Sequence, residues 1–319
     1  MHDVEASAAA TRRPRFPRQL QLLPAVALTA IPLIGQGGRW WAWADTLNAF
    51  LGPTAILLAL IALHGFARRQ WTAVTVATIG AALALIQLGS GVLRASPRQD
   101  GATDTVRVLT VSAYHANPHP FVLRDMISKL DPDLAFIQEA DGAAAEALAQ
   151  ALPGHHRVLS CPAARCSLVI VSRWPLARSD RPDLHAHDLP DLLAAEVSAP
   201  FARFRVVTLH LPRMLSPQAE RHRGMLVDLV RSGNRLPTIA GGDFNLATGS
   251  FALSALERQS GLRRLDRYVP SYPANLFFPA VVPIDHVLSD GHWDSLGCRG
   301  LSVAGSDHRA VLCRLRLRP

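Results

Sequence analysis

Along the first third of the chain, apolar residues run on without charged interruption, whereas the remaining two thirds break into short apolar runs separated by polar turns. No Asp, Glu, Lys or Arg occurs in residues 19–38, 46–67 or 70–93. Each stretch is about 20 residues long, enough at a rise of about 1.5 Å per residue to cross a hydrocarbon core of roughly 30 Å. A core helix of a soluble protein rarely lacks charge on every face for so long. The pattern therefore predicts three membrane-spanning helices within residues 20–93, the first bent by Pro24 and Pro32 and loosened at its end by Gly35, Gly37 and Gly38.

Basic residues fix the orientation, because Arg and Lys in short flanks stay in the cytoplasm. Arg12, Arg13, Arg15 and Arg18 precede the first stretch, and Arg68 with Arg69 separates the second from the third. Residues 1–19 are thus expected to form a cytoplasmic basic N-terminus. An odd number of crossings then carries everything after Leu93 outward, and Trp40, Trp41 and Trp43 suit the outer interface. The expected address is the inner (cytoplasmic) membrane, multi-pass, with the large domain periplasmic or extracellular.

Residues 94–105, with Pro97, Gly101 and Asp104, read as a linker, and residues 106–319 as one domain. Strands are expected at 106–111, 134–137, 167–171, 193–197, 204–209, 238–240, 284–288 and 310–317, and helices at 121–130, 143–152, 217–231 and 251–258. So many short strands with so few helices imply two packed sheets with helices outside, an α+β class.

All four cysteines lie beyond the membrane segment, in the compartment where disulfides persist. Cys161 and Cys166 flank a short loop that could close on itself. Cys298 and Cys313 bracket a turn containing Gly305 and could face each other on neighbouring antiparallel strands; metal binding and free thiols are the alternatives. A formal charge of +8 points loosely to anionic partners, although part of it is topological arginine.

Polar residues gather where strands end, a common place for a site. They are Ser112 to Asn117, Gln138 with Glu139, His210, the run Gly241-Gly242-Asp243-Phe244-Asn245, Asp285 with His286, and Ser306-Asp307-His308. Residues 132–139, 241–245 and 306–308, in that order, resemble the endonuclease/exonuclease/phosphatase superfamily, and its membrane-anchored bacterial branch of teicoplanin-resistance-type phosphatases in particular. The resemblance implies a DNase I-like four-layer α/β/β/α sandwich and hydrolysis of a phosphoester with Mg²⁺, Mn²⁺ being a second candidate. By the same resemblance Glu139 is the first metal ligand, joined by Asp307 and by Ser112, which stands where the family commonly has asparagine. Asp243 would orient or deprotonate the attacking water and Asn245 would position the phosphate. Asp285 would accept a hydrogen bond from His308, and His210 would contact phosphate or protonate the leaving group. Asn117 and Arg213 are substrate-binding candidates, whereas His286 and His115 read as structural or surface residues.

Anchoring favours a lipid-linked substrate, such as an undecaprenyl pyrophosphate-like one, with membrane lipid as the surrounding partner. A nuclease is the alternative, although three tyrosines and no interleaving of basic with aromatic residues speak against a nucleic-acid groove. A non-catalytic, membrane-tethered binding protein, motivated by Ser112, is the third reading. Nothing in the pattern calls for a protein partner.

Overall fold

The computed structural model describes residues 18–92, 105–115, 117, 119–140, 154–160, 167–179, 191–233, 236–275 and 279–318. Helices α1 (Arg18–Gly35), α2 (Leu51–Ala67) and α3 (Trp71–Val92) pack together, with the short helical turns Gln36–Arg39, Ala42–Asp45 and Thr46–Phe50 leading from α1 into α2. Two segments, Ala42–Ala67 and Trp71–Gly89, are long and apolar enough to cross a membrane, and only 28% of either apolar window is buried. Leu60, Leu63, Ile79, Leu85 and Ile86 stand exposed, where a soluble protein would cover such side chains. Three spans are expected from the charge-free stretches, and among the described residues two meet that standard. The first stretch forms α1, an 18-residue helix containing Pro24 and Pro32, whose opening turn carries Arg18, Gln19 and Gln21.

The remainder is two six-stranded sheets. One runs β11 (Trp293–Leu301), β12 (Ala310–Leu317), β1 (Thr105–Ser112), β2 (Leu134–Gln138), β4 (Leu168–Ser172), β3 (His156–Leu159). The other runs β5 (Leu176–Arg178), β6 (Asp191–Ser198), β7 (Arg203–His210), β8 (Thr238–Asp243), β10 (Asp285–Ser289), β9 (Arg263–Arg264). The period of two along each strand divides the core. Val106, Val108, Leu134 and Phe136 meet Leu193, Ala195, Val206 and Ile239 between the sheets. On the outer face of the first sheet, Leu109, Val111, Ala135 and Ile137 pack on Leu123 and Ile127 of α4 (Pro120–Leu130). On the outer face of the second, Ala194, Val207 and Ala240 pack on α5 (Ala219–Arg231) and α6 (Phe251–Ser260). Helix, sheet, sheet and helix thus form the four expected layers.

The expected strands and helices recur with ends displaced by up to three residues, the largest at β8, which runs on to Asp243, except that 143–152 lies outside the described residues, as do 94–104 of the linker and Cys161–Cys166. Strands β3, β5, β9 and β11 were not expected: β3 and β5 are short edge strands with exposed residues, and β9 has only two residues. In β11, Gly297 and Gly300 interrupt the apolar alternation. Cys298 pairs with Cys313 across β11 and β12 and is disulfide-bonded to it.

Candidate active site

Strand ends assemble the site. His210 and Asp243 end the parallel neighbours β7 and β8 in register with each other, and Asp285 opens β10 in register with Asp243. From the facing sheet, β2 ends just before Glu139, which lies in the left-handed region with φ 53°. Beneath them, buried Gln138 joins the sheets, donating to Thr208 Oγ1 at 2.9 Å and accepting from Thr110 Oγ1 at 3.3 Å. A buried amide bonded on both its oxygen and its nitrogen in this way ties the two strand ends together.

The glycines before Asp243 are dictated by packing. A Cβ on Gly241 would come within 2.5 Å of the Phe136 ring, and one on Gly242 would overlap the Leu209 carbonyl of β7. Beyond them the chain turns at Asn245 (φ 48°), whose backbone N–H donates to Asp243 Oδ1 at 2.8 Å. Asn245 Nδ2 donates to Leu211 O at 2.8 Å and to Asp243 Oδ2 at 3.1 Å. Both partners are acceptors, so the amide nitrogen must face them, and its two hydrogens are then engaged. Asn245, expected to position the phosphate, also holds the Asp243 carboxylate through these bonds.

His210 Nε2 stands 3.6 Å from Glu139 Oε1 and 3.6 Å from Asp243 Oδ2. His308 Nδ1 donates to Asp285 Oδ2 at 2.7 Å, the hydrogen bond expected from the sequence, while its Nε2 lies 3.9 Å from Asp243 Oδ2. Ser306 explains the residue before Asp307-His308: its Oγ donates to Ser112 O at 2.8 Å and accepts from His308 N at 3.0 Å, tying the histidine loop to the end of β1.

Electrostatically the site is short of positive charge. Burial, reinforced by the neighbouring Asp285, pushes the Asp243 carboxyl up to about 6. Burial by itself would lower His308, but the Asp285 charge and hydrogen bond, with Asp243 and Asp307 beyond, outweigh it and raise the imidazole to about 10. Glu139, His210 and Asp243 bring ligand atoms within 4.8 Å of one another, as do Asp243, Asp285 and His308. Hard carboxylate oxygens around a buried acid fit a divalent cation.

Glu139, His210, Asp243 and His308 line a cavity of about 550 Å³ that Arg213, Asp307 and Asn245 also line, with Asp285 behind His308 and outside the lining. Ser112 and Asn117 are not among its lining residues. Ser112 is fully buried at the end of β1, with its Oγ lacking a hydrogen-bond partner. Asn117 braces two loops, donating to Ala113 O and Ala304 O and accepting from His119 N. His286 is fully buried, its ring nitrogens facing Asp266 Oδ2 at 2.9 Å and Leu246 O at 2.8 Å, a structural role as expected. His115, read as a surface residue, is exposed but reaches Glu139 Oε2 at 3.3 Å. Tyr272, whose ring lies 5.0 Å from that of His308, and Thr46, Ala49 and Phe50 also line the cavity. No local sequence signal announces these four, because their place depends on packing between segments distant in the chain.

A family profile described as the Endonuclease/Exonuclease/phosphatase family matches residues 112–308, from the end of β1 to the histidine of the last loop. The chain belongs to this family. Members are metal-dependent phosphoesterases and nucleases, and the chain is an enzyme of that class, a hydrolase of phosphoester bonds. An endonuclease/exonuclease/phosphatase family protein from Bacteroides thetaiotaomicron is similar with a TM-score of 0.57 and 15% identity, over 67% of this chain and 98% of that one. The mannosyl-6-phosphatase Bt3783 of the same organism gives 0.56 and 15%, over 66% and 99%. Truncated Caenorhabditis elegans TDP2 gives 0.52 and 13%, over 66% and 98%. At such identities the likeness is one of fold. No curated protein matches the chain by sequence.

Proposed function

We propose that this family member is a membrane-anchored, Mg²⁺-dependent phosphoesterase that hydrolyses a lipid-linked phosphate ester or pyrophosphate outside the cytoplasmic membrane. The observation that carries the reading is the double character of the cavity, whose lining combines the site's carboxylates and histidines with Ala49, Phe50, Leu211, Met214, Val282 and Ile284. The disposition of the helices supports the outward placement. Gln87 of α3 and the turn 36–50 meet the catalytic domain, whereas Arg68 and Arg69 lie at the opposite ends of α2 and α3. The Cys298–Cys313 disulfide suits an oxidising compartment.

Glu139 and Asp307, with His210 and Asp243 beside them, would hold the cation, which when bound neutralises charge gathering on the phosphoryl oxygens. Asp243, ionised at neutral pH and steered by Asn245, accepts a proton from the attacking water. His308, kept protonated by Asp285, donates to a phosphoryl oxygen and stabilises its growing charge. His210, on the Glu139 side, contacts the phosphate and donates a proton to the leaving oxygen as its bond to phosphorus breaks, and Arg213 offers a cationic donor at the cavity wall. Ser112 is buried away from the cavity, so a role on the metal would run through neighbouring groups.

The test is phosphate release by the full chain in detergent, with Mg²⁺ or EDTA, from a polyprenyl pyrophosphate and, in parallel, nicking of plasmid DNA. Mg²⁺-dependent release from the lipid that is lost in Asp243→Ala, without nicking, is expected. Nicking without release would replace the lipid reading with the nuclease one.

A further inference from the structure

The wall of the catalytic cavity is not built from the catalytic domain alone. Thr46, Ala49 and Phe50 belong to the turn that leads into α2, nearly 90 residues before Glu139 in sequence, and they line the same cavity as Glu139, Asp243 and His308. The turn is locked in place by specific contacts. Asp45, buried, accepts from Phe251 N and Ala252 N at 2.9 Å each, capping the first turn of α6 in company with Ser250, whose Oγ accepts from Leu253 N at 3.1 Å. Asn48 donates to Asp45 Oδ1 at 2.7 Å and to Gly35 O at 3.1 Å, holding the turn against the end of α1. Gln87 of α3 donates to Gly249 O at 3.2 Å. Gly249 itself has φ 95°, and a Cβ there would come within 3.1 Å of Leu51 and 3.2 Å of Leu88, so the anchor closes tightly on the loop that follows Asn245. Ala49 completes an apolar cluster with Ala247, Val282 and Ile284. Phe50, by contrast, is left 48% exposed beside the cavity, within the membrane-length apolar segment Ala42–Ala67 and next to the first residue of α2.

We infer that the anchor turn Thr46–Phe50 is a specificity wall of the active site, with Phe50 receiving the first apolar segment of an amphiphilic phosphoester whose phosphate sits at the Glu139–Asp243–His308 end. The inference deepens the proposed function and rests on it for the place of the phosphate. A half-exposed phenylalanine has apolar surface left to bury, and an apolar chain leaving a phosphate in the cavity passes along it toward the bilayer. A water-soluble phosphoester with the same head group gains nothing from that contact, so the turn discriminates by chain and not by head group.

Two measurements on the full chain in detergent micelles test this. The first compares phosphate release from dodecyl phosphate and from ethyl phosphate by the wild type, Phe50→Leu and Phe50→Ser. Phe50→Ser should lower kcat/KM for the dodecyl ester about five- to ten-fold and leave the ethyl ester within two-fold, with Phe50→Leu between; equal changes on both esters overturn the proposal. The second needs no turnover: in Phe50→Cys the introduced thiol should be protected from a maleimide by dodecylphosphonate with Mg²⁺ but not by methylphosphonate. Labelling at the same rate with both overturns the proposal whatever the kinetics. Protection by the long chain without hydrolysis of either ester would uphold the wall and strike the phosphoesterase reading instead.

Discussion

Replacing Asp285 by asparagine isolates the contribution of one buried charge. Asp285 is fully buried, and its Oδ2 accepts from His308 Nδ1 at 2.7 Å, so water cannot take its place and an asparagine of the same shape fits without a cavity. What changes is charge and tautomer. With the carboxylate gone, the two largest upward influences on His308 are lost while burial still lowers it and Asp243 and Asp307 still raise it, so its pKa should fall from about 10. The amide could either donate to Nδ1 or accept from it, so the protonation of Nε2 is no longer fixed. Asp285 does not line the cavity, so substrate binding should change little. Asp285→Asn should therefore lower kcat by about 10²- to 10⁴-fold, the range for a general acid or base and for its orienting carboxylate, with KM within about three-fold. Steady-state phosphate release across pH, together with NMR titration of the histidine ring, measures both effects. A variant that keeps kcat within five-fold although the ring titrates well below the wild-type one would refute the role assigned to the His308 proton.

Other consequences follow from the same geometry. In EDTA the wild-type fold should lose stability as pH rises from 7 to 10, because a histidine whose folded pKa is raised stabilises below its unfolded value and ceases to do so on passing its folded one; thermal unfolding against pH should show the decline, and Asp285→Asn should flatten it. Reducing Cys298–Cys313, which closes a loop of sequence separation 15, should cost about 3 kcal/mol, read from denaturant unfolding with and without reductant. Gly242→Ala should prevent folding of the domain, since its methyl would meet the Leu209 backbone carbonyl and not a movable side chain; protease-resistant, native-like protein from that variant would contradict the packing account. Removal of divalent metal should abolish hydrolysis while leaving the fold intact below pH 7, which activity and circular dichroism measure on one sample.

Local chemistry made much of this protein legible before any coordinates. Charge-free stretches of membrane length are visible because charge is read residue by residue, and the alternation of β1 and β2 is visible because a strand has period two. The Asp285–His308 pair and the turn at Asp243 and Asn245 could be expected from motif order, since each residue has the chemistry its role demands at the end of a strand. Tertiary structure decided what depends on segments far apart in the chain. It turned the Asn245 amide onto Asp243, drew Asn117 into loop bracing, left Ser112 buried without a partner, and brought His115 against Glu139. Above all it carried Asp45 to the start of α6 and Phe50 to the cavity, about 200 residues from the Asp243 turn in sequence, because a buried carboxylate and two free helix amides satisfy each other at 2.9 Å wherever the packing of helices on sheets brings them together. No pattern along the chain encodes that meeting, since neither partner's own neighbourhood requires the other.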